Sequence, residues 1–258
     1  GSISDDYSRA VARIRTTHDV LSSDDPLSSL QVRAGESEDL TVLLAERLSA
    51  DGRTEDAAEV LEAGGNRWSH PLLMRMAAGR YLSAGNYQKA ADATTIAMSL
   101  GGTDWSGRRE ALMIRFDALE SLGDFKASLA VARQLAALAP ENLTARWALV
   151  HSLVRAGSLR DAWSALTQQG APANPRSAPD ARTWIGLAAE CDDSPHFVSR
   201  SLEMMTKWSH DPELSALFLL QIYRGLMRHD RDLPEGDLRE LHRVTDEFTT
   251  AHPDSRIF

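Results

Sequence analysis

A recurring glycine constrains the fold of this chain more than any other sequence feature. Gly52, Gly85, Gly123 and Gly157 follow one another at intervals of 33, 38 and 34 residues. Each stands after an apolar segment and before a short polar turn, and a small residue follows five residues later. Those small residues are Ala57, Ala90, Ser128 and Ala162. A period of this length is typical of solenoids in which each unit is one supersecondary element.

The glycine and the small residue each have a physical role in a helix pair. The chain leaves the first helix through a left-handed backbone conformation, which glycine adopts at the least cost. A small side chain at the start of the second helix lets the two helices lie close together. The sequence therefore predicts four tandem helix–turn–helix units.

The second unit carries the pattern of a known family most fully. Its matching positions are Met74, Ala77, Ala78, Tyr81, Gly85 and Ala90, and Pro140 closes the third unit. This pattern resembles the tetratricopeptide repeat over roughly residues 38–174. The resemblance implies an all-α fold, a right-handed superhelical solenoid of antiparallel helix pairs. Arg115 and Phe116 depart from the pattern, and four extra residues precede their helix, so we expect local repacking there.

The remaining segments are arranged around these repeats. Residues 1–37 are interpreted as a tag remnant, a leading helix over 7–21 and a loop that begins at residue 22. Residues 38–213 contain four clear repeats and a degenerate fifth, in which residues 192–195 replace the glycine turn. Residues 214–258 are predicted to be a capping helix pair, with helices over 212–228 and 234–251. The Pro-containing stretch 171–175 is either a hinge or an inter-repeat turn, and the turn is favoured.

Composition limits the classes of partner. The chain has 28 basic and 37 acidic residues, a formal net charge of −9, so its average surface repels a phosphate backbone and nucleic acid is not an expected partner. Apolar stretches are too short to cross a bilayer, so no membrane partner is expected either. Cys191 is the single cysteine, which excludes an internal disulfide and is typical of a reducing compartment. We therefore expect a cytoplasmic protein.

No pattern in the sequence predicts catalysis, a cofactor or a metal site. Phosphate-binding, dinucleotide-binding, zinc-protease and nucleophile-elbow motifs are all absent from the sequence. The nearest cluster of metal-ligand types, residues 229–232, is interpreted as a solvated turn. Cys191 is interpreted as a structural thiol, because Asp192 and Asp193 are expected to raise its pKa. We therefore predict a protein that is not an enzyme.

Two functions are open at this point. One is a non-catalytic protein–protein interaction scaffold that binds a peptide or a partner helix on its concave face. The other is a regulatory or sensor segment of a larger multidomain enzyme. A fold of this kind is compatible with both, so the sequence alone does not separate them.

Six residues are the candidates for partner binding. Some tetratricopeptide domains clamp a C-terminal carboxylate, and of the corresponding positions here only Arg75 has a suitable side chain. In the fourth repeat a stripe spaced four residues apart contains Trp147, His151 and Arg155, and Trp184 and Asp117 lie at comparable places on neighbouring repeats. The stripe is predicted to be the centre of a peptide-binding groove. The alternative is that both tryptophans fill the seam between helices and that Arg155 is a solvated charge.

Overall fold

The described part of the protein is helical throughout. A computed structural model describes residues 25–168, 173–229 and 234–253, and these residues contain helices and no strand. The chain divides into two compact units after Leu138. The prediction of an all-α, tetratricopeptide-like fold is confirmed.

The first unit is a succession of helices in which each packs against the next. Along the chain these are α1 (Pro26–Arg33), a short 3-10 helix (Ala34–Glu36), α2 (Glu38–Ala50), α3 (Thr54–Trp68), α4 (Pro71–Ser83), α5 (Tyr87–Gly101), α6 (Arg108–Leu122) and α7 (Phe125–Leu138). Helices α4 and α6, which are the first helices of successive repeats, also pack side by side. This is the contact pattern of stacked helix pairs.

The second unit follows the same plan with a less regular end. Its helices are α8 (Leu143–Arg155), α9 (Leu159–Thr167), α10 (Ala178–Cys191), α11 (Phe197–Lys207), α12 (Pro212–His229) and α13 (Glu235–Ala251). Helix α10 packs against α9, α11 and α12, and α13 rests on α11. The two helices predicted over 212–228 and 234–251 are confirmed as α12 and α13.

The repeat glycines form the predicted turns. All four have a φ between 75° and 79°, the left-handed region in which a side chain is strained. At Gly85 the turn is closed by the Asn86 N–H, which donates to the Tyr81 carbonyl at 2.9 Å. This six-to-one hydrogen bond satisfies a carbonyl that the end of a helix would otherwise leave unpaired. The turns therefore follow directly from the sequence pattern.

The small residues after the turns are buried at helix contacts, as predicted. Ala57 and Ala90 have no exposed surface, and neither has Ala78 on the facing helix. Ser128 replaces alanine in the third repeat and is equally buried. Its hydroxyl donates to Oε1 of Glu120 at 2.5 Å, so the buried polar group is satisfied.

The two irregular turns have physical explanations. The longer connection between α5 and α6 folds the indole of Trp105 over Gly101 and Gly107, where a Cβ would collide with the ring. After α10, the buried carboxylate of Asp192 accepts from the Ser194 N–H and from the Arg200 guanidinium, both at 3.0 Å. A side chain therefore organises the turn that glycine makes in the other repeats.

One prediction for the N-terminal region is corrected. The stretch from residue 22 was expected to be a loop, but α1 occupies Pro26–Arg33. The Asp25 side chain caps this helix by accepting from the Ser28 N–H, and Leu30 is buried. The predicted leading helix over 7–21 lies outside the described residues.

Candidate functional site

The candidates of the first unit lie on two adjacent helices. Arg75 is half-buried on α4, and Asp117 is exposed on α6. Although the residue is exposed, the surrounding protein partly desolvates its carboxyl, and this desolvation, followed by the negative charge of Glu120, raises the pKa of the Asp117 carboxyl. Helices α4 and α6 pack side by side, so these two candidates lie on neighbouring helices of the first unit, while the other four belong to the second unit.

The two candidate tryptophans are core residues. Trp147 is 1% exposed, and its Nε1 donates to the Asn174 carbonyl at 3.3 Å. Trp184 is 0% exposed and stacks on Phe218 at a centroid distance of 6.3 Å, with Trp163 edge-on at 6.0 Å. Their burial favours the seam-filling interpretation, because an indole enclosed by its own chain offers no surface to a partner.

His151 belongs to a polar network between two helices. Its Nε2 lies 2.8 Å from Oδ1 of the buried Asp180 on α10, and Nδ1 lies 3.5 Å from the Thr183 hydroxyl. The second carboxylate oxygen of Asp180 accepts from the Arg176 backbone N–H at 3.1 Å. The network links α8 to α10. Arg155 is exposed at the end of α8.

Helices α8, α10 and α12 and the first residue of α9 line an open depression of about 280 Å³. Its apolar surface is provided mainly by Val154 and Leu159, with Leu187 buried beneath them, and polar side chains such as Arg182 and Gln221 surround it. Small-molecule and peptide sites combine these two kinds of surface, since apolar area supplies affinity and a few polar groups fix orientation.

Gly186 lies in this depression, in the interior of α10. A Cβ built at this position would have no described atom within 4 Å. Its φ is not among the positive values, so neither a turn nor a close helix contact requires glycine here. The residue leaves open space on the helix at the depression.

A second depression of about 420 Å³ shares Leu159 and Glu190 with the first. It also contains Arg160, Asp161 and Arg228. We call the two depressions together the α10–α12 groove.

Glu190 stands where the two depressions meet. Its Oε1 accepts from Nη2 of Arg224 at 3.0 Å, and its Oε2 lies 2.6 Å from Nη1 of Arg228. The Glu190 side chain is 18% exposed, whereas those of Arg224 and Arg228 are 57% and 52% exposed. One carboxylate is therefore held inside the groove by two arginines that remain open to solvent.

Cys191 lines the second depression and is half-buried. Burial, and then the charge of Glu190, raises the pKa of its thiol. The predicted increase in the thiol pKa is confirmed, but the acidic residue that contributes to it is Glu190 rather than Asp192 or Asp193. A raised thiol pKa disfavours the nucleophilic thiolate.

The described ranges contain no group of three or more side chains placed to hold a metal ion. Within the same ranges, no helix combines the length and apolar character that crossing a membrane requires.

The groove residues Glu190, Arg224 and Arg228 were not predicted. The sequence does contain a partial signal for the two arginines. Arg224 and Arg228 are four residues apart on a predicted helix and therefore share one face of it. Their common partner Glu190 precedes Arg224 by 34 residues, and no local pattern connects residues so far apart.

Comparisons with known proteins support the fold. No protein-family model matches the chain, and no curated protein matches it. Among solved structures, a MamA RS-1 double mutant superposes with a TM-score of 0.51 at 15% identity, covering 81% of this chain and 96% of the other. YrrB, described as a TPR protein with an unusual peptide-binding site, superposes with a TM-score of 0.52 at 16% identity. The match covers 81% of this chain and 100% of the YrrB chain. At these identities the similarity is one of fold.

Proposed function

We propose that this tetratricopeptide-like protein is a non-catalytic interaction scaffold, and that its α10–α12 groove binds a peptide segment of a partner protein. The peptide-binding site stated for YrrB supports the proposal, since that protein shares the fold. The single half-buried thiol suits a reducing compartment, and we place the protein in the cytoplasm.

Gly186 is the observation that carries the proposal. Glycine inside a helix is less favourable than alanine by about 0.8–1.0 kcal/mol. At Gly85 and Gly101 a turn or a facing indole requires the missing side chain, whereas Gly186 lies in a helix interior, lines the groove and has open space beside it. A partner that approaches the helix closely is a physical reason for leaving this space empty.

The surroundings of Gly186 suit an extended peptide. Val154 and Leu159 offer apolar contact, and Gln221 and Thr183 offer hydrogen-bonding groups to the peptide backbone. A peptide side chain that enters beside Gly186 would be desolvated between α8 and α12. Affinity at interfaces is concentrated in such central, enclosed contacts.

Selection from a random 12-residue peptide library tests the proposal. Wild-type protein and Gly186→Leu are used as separate baits, because leucine keeps the helix and fills the open space. Gly236→Leu is the matched control, since Gly236 is an exposed helical glycine of α13 with no described atom within 4 Å of a built Cβ. We expect wild type and Gly236→Leu to enrich the same peptides and Gly186→Leu to lose them. Equal enrichment by all three baits would reject the groove.

A further inference from the structure

We infer that the groove recognises an acidic partner segment, and that Glu190 competes with this segment for Arg224 and Arg228. In the unbound protein the Glu190 carboxylate is paired with both arginines. This inference rests on the proposed function and adds the chemical class of the partner and a means by which the chain limits its own affinity.

The charge of the groove is opposite to that of the chain. Its lining contains four arginines against two acidic residues, although the whole sequence has a net charge of −9. The basic residues are Arg160, Arg182, Arg224 and Arg228, and the acidic residues are Asp161 and Glu190. A positive surface of this kind attracts acidic segments and repels basic ones, which favours an acidic partner over a neutral or basic one.

The arginines of α12 retain the capacity to bind a second carboxylate. A guanidinium has five N–H donors in a planar fork, and Glu190 contacts one terminal nitrogen of each arginine. Both side chains are more than half exposed. A carboxylate arriving from either depression therefore meets donors that are already oriented.

Glu190 determines how strongly those donors attract a partner. Its carboxylate is mostly shielded from water and sits against both guanidinium groups, so it neutralises part of their charge at short range. An incoming carboxylate must share the arginines with Glu190 or displace it. Removing the charge of Glu190 should consequently strengthen acidic binding, whereas removing the arginines should weaken it.

The experiment uses the same random 12-residue library with three further baits. These are Glu190→Gln, Arg224→Gln/Arg228→Gln, and the triple variant that combines all three substitutions. The triple variant is needed because the double variant leaves the Glu190 carboxylate without its partners and is destabilised on that account. Arg239→Gln, at an exposed position of α13, is the matched control.

We expect the peptides selected by wild type to be enriched in Asp and Glu. The triple variant should bind the peptide that wild type binds most tightly about tenfold more weakly than wild type does. A loss of this size corresponds to at least one charge-assisted hydrogen bond. Glu190→Gln should bind about three- to tenfold more tightly, because its competing charge is gone. Raising the salt from about 50 mM to about 500 mM should weaken wild-type binding, and Arg239→Gln should bind as wild type does.

Three negative results are distinguishable. If wild type selects peptides that depend on Gly186 but have no excess of acidic residues, the groove stands and the acidic-partner inference is overturned. If acidic peptides bind and Glu190→Gln binds them no more tightly than wild type, Glu190 is not a competitor. If no selected peptide depends on Gly186, the proposed function fails and the inference fails with it.

Discussion

The carboxylate of Glu190 lies 2.6 Å from the guanidinium of Arg228, and this ion pair joins α10 to α12. Arg224, one helical turn earlier, binds the other oxygen of the same carboxylate at 3.0 Å. The two contacts position the helices on either side of the groove. Because the guanidinium groups are exposed and the carboxylate is shielded, the pair contributes both to packing and to the charge that a partner meets.

Two glycine substitutions should change stability in opposite directions. Gly186→Ala should stabilise the second unit by about 0.8–1.0 kcal/mol, since alanine is the better helix former and nothing obstructs its Cβ. Gly85→Ala should destabilise the first unit by about 1–2 kcal/mol, because alanine at a φ of 78° is strained. Chemical denaturation of both variants measures these changes. A destabilised Gly186→Ala would mean that the glycine has a packing role.

Enlarging the buried alanines of the second repeat should weaken the first unit. Ala78 and Ala90 are both completely buried in the contact between α4 and α5. Leucine at either position should cost about 1–3 kcal/mol through overpacking. Thermal unfolding measures the loss. Melting temperatures equal to that of wild type in both variants would contradict this helix contact.

Tyr81 should make the stability of the first unit sensitive to alkaline pH. Its hydroxyl donates to Oε2 of Glu62 at 2.5 Å, and burial, followed by this bond, raises the pKa of the phenol above its ordinary value. The folded state therefore holds the proton more tightly than the unfolded state. The resulting stability is fully present below about pH 10 and is lost as the pH rises further toward the raised pKa.

Tyr81→Phe isolates this contribution. The variant should be less stable than wild type by about 1.5–3 kcal/mol at neutral pH, the contribution expected of a hydrogen bond to a charged group. Denaturation at a series of pH values should show the difference shrinking above about pH 10. A difference that stays constant over the alkaline range would show that phenol ionisation is not coupled to folding.

The sequence predicted the parts of the fold that depend on short-range rules. A positive φ at Gly85 and a close helix contact at Ala90 follow from residues a few positions apart, and both were predicted correctly. The helix α1 was not predicted, because its segment is rich in residues that are also common in turns. In the structure these residues form a helix, which the Asp25 side chain caps.

The candidate site was harder to predict because it depends on neighbours distant in sequence. A period of four residues identified the stripe containing Trp147, but periodicity alone does not show whether another helix covers a given stripe. In the structure Phe218 and Trp163 cover Trp184, and the backbone at Asn174 receives the Trp147 N–H. The groove is instead formed where residues of four helices, α8, α9, α10 and α12, come together, and no local sequence pattern predicts such a meeting.

The buried tryptophans should control stability rather than binding. Trp184→Ala should destabilise the second unit by about 3–5 kcal/mol, because it removes a fully buried ring between Phe218 and Trp163. Arg155→Ala, at an exposed position, should change stability by no more than about 0.5 kcal/mol. Differential scanning calorimetry compares the two. A Trp184→Ala protein with wild-type stability would show that the indole is not part of the core.

Amide chemical-shift mapping with the strongest selected peptide tests the central claim most directly. The peptide is titrated into isotopically labelled protein, and the shifts are compared between the two units. The groove account predicts the largest changes at Thr183, Gly186 and Leu187 on α10, with none of these changes in Gly186→Leu. Saturable binding with changes confined to α4 and α6, around Arg75 and Asp117, and an unchanged Gly186 amide would contradict it.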